Sequence, residues 1–136
     1  ALNSILVGIQ QYKGNIHLNI GTPLTSEEIA EAALCDKNDR YQQIRHAVDR
    51  RVIEGYKLWK NNYIAYDLQN HSFKYSDLYS PTDMEQFVEY MRKQLDTVEP
   101  EINREDLRRI FLDIYANPVV TNELLAKEKA TGAILL

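Results

Sequence analysis

The chain has 136 residues, 44% of them hydrophobic and 26% charged, which suits a single domain with an apolar core. Twenty acidic and sixteen basic residues give a net charge of −4, and basic residues are interspersed with acidic ones, so we expect no nucleic-acid partner. No apolar run reaches the roughly 20 residues of a membrane span, no signal peptide is present, and the lone Cys35 rules out an internal disulfide, all of which indicate a cytoplasmic protein.

A short helix is the first predicted element. The range Leu2 to Tyr12 has aliphatic residues at helical spacing and ends at Lys13-Gly14, a favourable stop for a helix. The sequence begins at Ala1 without an initiator methionine and runs directly into this segment, so we expect it to be a piece of a longer protein.

A β-strand is predicted over Asn15 to Ile20, because its side chains alternate between an apolar and a polar face. The apolar face has Ile16, Leu18 and Ile20, and the polar face has His17 and Asn19. A lone strand leaves its backbone donors and acceptors without a ladder, so its neighbour is expected outside these residues. A second, unrecognised strand or pairing between two copies of the chain would also fill the gap.

Two helices are predicted after the strand. Residues 25–28 (TSEE) form a capping box that opens a helix through Leu34. Asn38 to Asn70 carries apolar residues every three or four positions, which predicts a long helix around which the other elements pack. As one rod it would be about 50 Å long, so a bend is expected at Lys60-Asn61-Asn62. The stripe consists of Tyr41, Ile44, Val48, Val52, Tyr56, Trp59, Tyr63 and Tyr66.

An apolar loop, His71 to Pro81, is expected to lie against the body of the domain. Residues 82–85 (TDME) then form a second capping box, starting a helix that ends at Glu99-Pro100. The inward residues of this helix are predicted to be Met84, Phe87, Val88, Met91 and Leu95.

Asn103 is predicted to cap a helix from Arg104 to Ala116, and Asn117-Pro118 to form a joint before a last helix that runs to about Ala130. The inward residues of the first of these helices are predicted to be Leu107, Ile110, Phe111, Ile114 and Tyr115. The apolar end of the chain, Ala133 to Leu136, would suit docking on a partner or a bilayer, but such short ends are more often frayed.

The three histidines are the candidate general bases. His46 and Asp49 lie three residues apart on a helix, so the carboxylate would be able to orient the imidazole, but we favour a solvated helix face. We interpret His17 as a surface or interface residue, His71 as a cap for the preceding helix, and Cys35 as a small buried or half-buried hydrophobe. No metal-ligand spacing, phosphate loop or nucleophile elbow is present, so we predict no catalytic, cofactor-binding or metal-binding residues.

The nine tyrosines are compatible with a membrane-interface or binding surface, because amphipathic rings favour such places. Tyr41, Tyr56, Tyr63 and Tyr66 recur at helical intervals, however, which favours packing in the core or at its rim.

Two segments resemble a known enzyme family. KGNIHLNIGTPL (13–24) resembles the segment near the end of the catalytic domain in glycerolipid acyltransferases of the 1-acylglycerol-3-phosphate acyltransferase type, where a basic residue and a glycine precede an alternating strand. AVDRRVIEGYKLWKNNYIAYDL (47–68) is similar to the C-terminal helical extension of a bacterial branch of these enzymes. Together the two segments reach across about half of the chain.

The resemblance implies that residues 1–24 are the end of a catalytic domain and residues 25–136 a helical C-terminal region. The fold is then mainly α, and the strand Asn15 to Ile20 is the terminal strand of an α/β sheet whose remainder is absent. The family transfers an acyl group from acyl-CoA or acyl-carrier protein to a glycerol-phosphate hydroxyl, using a histidine followed after four residues by an aspartate. At that position the three histidines here have Thr22, Arg51 and Ser76.

The family's Pro-Glu-Gly run is also missing from the sequence. We therefore expect the non-catalytic C-terminal part of an enzyme of phospholipid synthesis, inactive as a fragment and without a cofactor. Its expected partner is the missing N-terminal catalytic domain; the exposed strand would also allow a homo-oligomer, and the parent a peripheral membrane contact. The alternative is a self-contained helical module for protein interaction or regulation with no enzymatic parent.

Overall fold

The computed structural model describes Leu6, Gln10 and residues 14–99 and 101–135. Within these residues it has five α-helices and one 3₁₀ turn, so the prediction of a mainly helical chain is confirmed. The helices are α1 (Ser26–Ala33), α2 (Lys37–Gly55), α3 (Lys60–Asn70), α4 (Pro81–Leu95) and α5 (Arg104–Thr131), and the 3₁₀ turn is Ser76–Leu78. The helix predicted over Leu2 to Tyr12 lies outside the described residues except for Leu6 and Gln10, both helical.

The strand predicted over Asn15 to Ile20 does not form. Residues 14–25 contain neither helix nor strand, and no other described residue belongs to a strand. Because a strand is completed by the backbone groups of a neighbour, the alternating pattern alone does not produce one. Its three apolar side chains are almost fully exposed, at 80% for Ile16, 83% for Leu18 and 88% for Ile20.

Helix α1 begins at the predicted capping box. The Glu28 backbone N–H donates to Thr25 Oγ1 at 3.2 Å, and the Thr25 N–H donates to Glu28 Oε2 at 2.8 Å. The polar joint that follows starts α2, because the Asp36 carboxylate accepts from the N–H groups of Asn38 and Asp39. Both boundaries therefore follow from contacts within a few residues.

The long stripe is divided just before the position predicted for its bend. Helix α2 ends at Gly55 and α3 starts at Lys60, and Asn62 stabilises this start instead of breaking a helix. Its Oδ1 accepts from the Trp59 N–H at 2.7 Å, and its Nδ2 donates to the Tyr115 carbonyl oxygen at 2.9 Å. Asn62 is buried, so it fixes both the start of α3 and the position of α3 against α5.

The core lies between α3, α4 and α5, with α3 packed along α5. Its buried residues are Ile64, Ala65, Phe87, Met91, Leu112 and Ala116. Helix α2 contributes no buried residue, so the expectation that the whole stripe organises the fold is wrong for its first half. The second half is in place: Tyr63 and Tyr66 of α3 pack their rings against Tyr75, with centroids 5.0 and 5.3 Å away.

The N-cap of helix α4 lies two residues before the start of the predicted capping box. Ser80 is the N-cap, its Oγ accepting from the Asp83 N–H at 3.1 Å, and Pro81 occupies the first turn. The helix ends at Leu95 instead of near Glu99. Met84, Phe87, Met91 and Leu95 face the core as predicted, whereas Val88 is exposed.

Helix α5 begins at the predicted cap, Asn103, but continues through Pro118, so the joint predicted there is wrong. Proline lacks the N–H that would bond to the Ile114 carbonyl, yet burial of Ala116 and Val119 on either side keeps the helix intact. The inward face is only partly as predicted, with Phe111 and Tyr115 packed against the core. Leu112 and Ala116 are buried, while Ile110 and Ile114, predicted to point inward, are 50% and 65% exposed.

Candidate docking surface

The irregular segment 14–25 lies beside the C-terminal half of α2 and is attached to it by polar side chains. His17 Nε2 donates to the Gly55 carbonyl oxygen at 3.2 Å, and Arg51 Nε donates to Thr22 Oγ1 at 3.3 Å. The polar face of the predicted strand therefore contacts the protein. Its apolar face is left in solvent, the reverse of the arrangement in a self-sufficient domain.

Gly55 permits this close approach. A Cβ atom placed on Gly55 would lie 1.8 Å from Nδ2 and 2.6 Å from Cγ of Asn19, so any side chain there would displace the side chain of Asn19. Gly21, on the other side of the contact, has room for a Cβ, which would meet the Arg51 Cβ at an ordinary 3.7 Å. The two glycines thus differ in what they contribute to the position of the segment.

Arg51 joins α1, α2 and the segment. Its NH2 nitrogen lies 2.7 and 2.9 Å from the two carboxylate oxygens of Glu28, and its NH1 donates to the Ala47 carbonyl oxygen at 2.8 Å. The Thr25 backbone N–H and then the Arg51 guanidinium hold the pKa of Glu28 below its usual value. This network keeps α1 and the segment in place along α2.

An apolar surface results from this arrangement. We call it the docking surface; it consists of Ile16, Leu18, Val48, Val52 and Tyr56, which line one groove. Val48 and Val52 of α2 and Tyr56 just after its end are 42%, 62% and 49% exposed, and a groove of about 760 Å³ runs between them and the segment. At the end of the groove, Lys57 Nζ lies 4.3 Å from the centre of the Trp59 ring.

The apolar surface continues past α2. Val52 and Tyr56 also line a second hollow of about 320 Å³ between α2 and α5, together with the exposed Ile114. Contiguous exposed apolar side chains of this extent are typical of an interaction site, whereas single exposed ones are ordinary. Sequence periodicity identified the α2 residues but predicted that they would be covered by this chain.

The histidine and aspartate suggested as a pair do not meet. Asp49 accepts from Arg45 NH1 at 3.1 Å, while His46 Nε2 lies 2.8 Å from Glu128 Oε1 on α5. The interpretation of His46 as part of a solvated face is also wrong, because its side chain is only 15% exposed. Glu128 is distant in sequence, and no local pattern pointed to it.

His71 has the predicted role of a helix cap. It ends α3 in the left-handed conformation, with φ 48° and ψ 43°, and its N–H donates to the Asp67 carbonyl oxygen. The loop after it is held by the buried Asp67 carboxylate, which accepts from the hydroxyls of Ser72 and Tyr79 and from the Tyr75 N–H. Every oxygen of this carboxylate is engaged within the protein, so Asp67 has a structural role.

Cys35 is half-buried, as expected, and its sulfur receives a hydrogen bond from Gln43 Nε2 at 3.1 Å. Among the described residues, no three histidine, cysteine, aspartate or glutamate side chains are grouped to hold a metal ion. In the same part of the chain, every helix is too short or too polar to cross a bilayer. Comparisons with protein-family models, curated proteins and solved structures gave no match.

Proposed function

We propose that this chain is the non-catalytic C-terminal part of a glycerolipid acyltransferase and that its docking surface packs against the catalytic domain of the same protein. One observation carries the proposal. The two segments that resemble this family, 13–24 and 47–68, are far apart in sequence and contribute all the residues of the docking surface between them. The family resemblance and the exposed apolar surface thus point to the same place.

The exposed segment supports a particular form of docking. Its apolar side chains alternate, its polar side chains already contact α2, and it has no strand partner among the described residues. On the edge of a catalytic-domain sheet, Asn15 to Ile20 would gain its missing backbone hydrogen bonds and form the predicted strand. Ile16, Leu18 and Ile20 would then be buried by the neighbouring strand and its flanking elements.

None of the three histidines is arranged as an acyltransferase base. His17 donates to a backbone carbonyl, His46 faces Glu128, and His71 closes a helix. Acyl transfer is therefore assigned to the parent's catalytic domain. Incubating the purified chain with lysophosphatidic acid and either acyl-CoA or acyl-carrier protein should give no product, and clear turnover would refute the assignment.

A substitution tests the docking itself. In the complete gene product that contains this chain, Leu18→Asp should lower acyltransferase activity at least about tenfold, because it places a charge in the proposed apolar contact. Phe73→Asp is the matched control: Phe73 is also highly exposed, at 79%, but lines neither hollow of the docking surface. In the isolated chain both variants should have the same melting temperature as the unaltered chain, since neither side chain is buried.

Equal activity of the two variants would contradict docking through this surface. The reading frame upstream provides an independent check, because a His-x4-Asp segment is expected there. A native start near Ala1 without such a segment would favour the alternative of a self-contained helical interaction module.

A further inference from the structure

Segment 14–25 leads directly into α1, and both are attached to α2 through Arg51. The Arg51 Nε donates to Thr22 Oγ1 in the segment at 3.3 Å, and NH2 lies 2.7 and 2.9 Å from the two carboxylate oxygens of Glu28 in α1. The Arg51 NH1 donates to the Ala47 carbonyl oxygen, one turn earlier in α2, which fixes the direction of the side chain. Each nitrogen of this guanidinium therefore contacts a different part of the chain.

Glu28 links the Arg51 contact to the folding of α1. Its Oε2 accepts from the Thr25 N–H at 2.8 Å, which closes the capping box at the start of the helix, and the same oxygen lies 2.7 Å from Arg51 NH2. Glu28 is thus in position for Arg51 when this first turn has formed. The side chains of Arg51 and Glu28 are only 20% and 35% exposed, so solvent screens this pair less than an ordinary surface salt bridge.

The segment itself is held by few contacts. Among the described residues, its other polar contact with α2 is His17, whose Nε2 donates to the Gly55 carbonyl oxygen at 3.2 Å. The apolar side chains of Ile16, Leu18 and Ile20 do not hold the segment, because they are almost fully exposed. The contact with Arg51 therefore decides how firmly the end of the segment next to α1 is held.

We infer that Glu28 and Arg51 are positioning residues for the docking surface, which order segment 14–25 and α1 as one unit even though Glu28 lies outside the groove. The inference rests on the proposed docking of this surface. A segment that is already held beside α2 loses less conformational freedom when it pairs with a partner, which strengthens docking without a new contact. Arginine suits this role because its planar fork reaches separate acceptors at once, whereas a lysine ammonium donates from a single point.

NMR order parameters of backbone amides in the isolated chain test the positioning. In the unaltered chain, Gly21 and Thr22 should have values of about 0.85, like rigid backbone, and Arg51→Lys should lower them below about 0.6. Glu28→Gln should also lower them, because glutamine still closes the capping box but has one acceptor oxygen instead of two. The amides of α3 should keep their values in both variants.

Arg50→Lys is the matched control, since Arg50 is the neighbouring residue of α2 and faces Glu128 instead of the segment. It should leave the values at Gly21 and Thr22 unchanged. Unchanged values at these two residues in either Arg51→Lys or Glu28→Gln would overturn the inference.

Thr22→Val separates positioning from a general loss of stability. It keeps the shape of the side chain and removes the oxygen that accepts from Arg51, so it should loosen the segment as much as Arg51→Lys does. Combining the two substitutions should loosen the segment no further, because both remove the same contact. Additive effects would contradict the inference.

Hydrogen exchange in the complete gene product separates this inference from the proposed function. Strand pairing would protect the amides of Asn15 to Ile20, and Arg51→Lys should lower that protection about threefold, whereas Leu18→Asp should abolish it. Protection that Leu18→Asp abolishes but Arg51→Lys leaves unchanged would refute the positioning role while the docking stands. No protection in the unaltered protein would instead refute docking of the segment as a strand, on which the inference rests.

Discussion

Removing the Asp67 carboxylate is expected to release the loop between α3 and α4. Asp67 is 1% exposed, and its Oδ1 accepts from the Ser72 hydroxyl at 2.5 Å. Its Oδ2 accepts from the Tyr75 N–H at 3.0 Å and the Tyr79 hydroxyl at 2.9 Å. These three donors all lie in the loop, so the carboxylate fixes the course of the chain from His71 to Tyr79.

The expected loss in free energy of unfolding depends on which of the three donors find a new acceptor. In Asp67→Ala, the two hydroxyls turn to water but the half-buried backbone N–H of Tyr75 loses its acceptor, so a loss of about 3 kcal/mol is expected. In Asp67→Asn, the amide nitrogen would face Ser72, whose hydroxyl reverses to accept, and the amide oxygen keeps Tyr75 and Tyr79. The expected cost is then about 1 kcal/mol.

Thermal unfolding followed by circular dichroism measures both. At about 4 °C per kcal/mol for a chain of this size, Asp67→Ala should melt about 12 °C lower and Asp67→Asn about 4 °C lower. Asp77→Ala is the control, because Asp77 is exposed in the same loop and should change stability by less than about 0.5 kcal/mol. If Asp67→Ala melted no lower than Asp77→Ala, the loop would not depend on this carboxylate.

Two further predictions concern the glycines beside segment 14–25 and the titration of buried tyrosines. Gly55→Ala should push the Asn19 side chain away from α2, seen as a shift of the Asn19 side-chain amide signals in NMR spectra, whereas Gly21→Ala should leave those signals in place; equal shifts would contradict the role of Gly55. Burial, followed by contact with Glu123 and Asp67 respectively, raises the pKa values of Tyr75 and Tyr79 to about 12. Their contribution to stability is present below the unfolded value of about 10 and is lost as the pH rises through 12. Burial raises the pKa of Tyr115 further still, so phenolate absorbance should show at least three late-titrating tyrosines. Asp67→Asn should lower the pKa of Tyr79 toward its usual value and leave those of Tyr75 and Tyr115 unchanged.

Two of the predicted helix starts, which depend on signals within four residues, were correct. The caps at Thr25 and Asn103 are where the pattern placed them, because the hydrogen bonds that define them are local. At the start of α4 two such patterns overlap, one beginning at Ser80 and the other at Thr82. Proline decides between them: Pro81 has no N–H and a fixed φ, so it suits the first helical turn after Ser80.

Features that depend on distant residues were not predictable in this way. Spacing shows that one face of α2 is apolar but not whether this chain covers it, and Val52 and Tyr56 remain exposed. The partner of His46 lies on α5, and Asn62 is buried because Tyr115 offers it a carbonyl oxygen. Pro118 resembled a break because the packing of Ala116 and Val119 has no local signal.

The docking surface itself was partly visible in the sequence. The alternating apolar and polar residues of Asn15 to Ile20 identified Ile16, Leu18 and Ile20 as one apolar face and indicated that a strand partner was missing. The sequence did not show that the polar residues His17 and Asn19 turn toward α2, because their contacts are with Gly55, more than thirty residues away.

The proline in α5 has a mechanical consequence. Over about 42 Å, this helix places Leu112 and Ala116 in the core with α3 and α4, and Glu128 and Lys129 near its end against α2, so it connects the core with α2. Pro118 leaves the Ile114 carbonyl without its usual helical donor, which makes that turn the weakest point against bending. A flexure there would swing the end that carries Glu128 while the half that carries Leu112 stays seated.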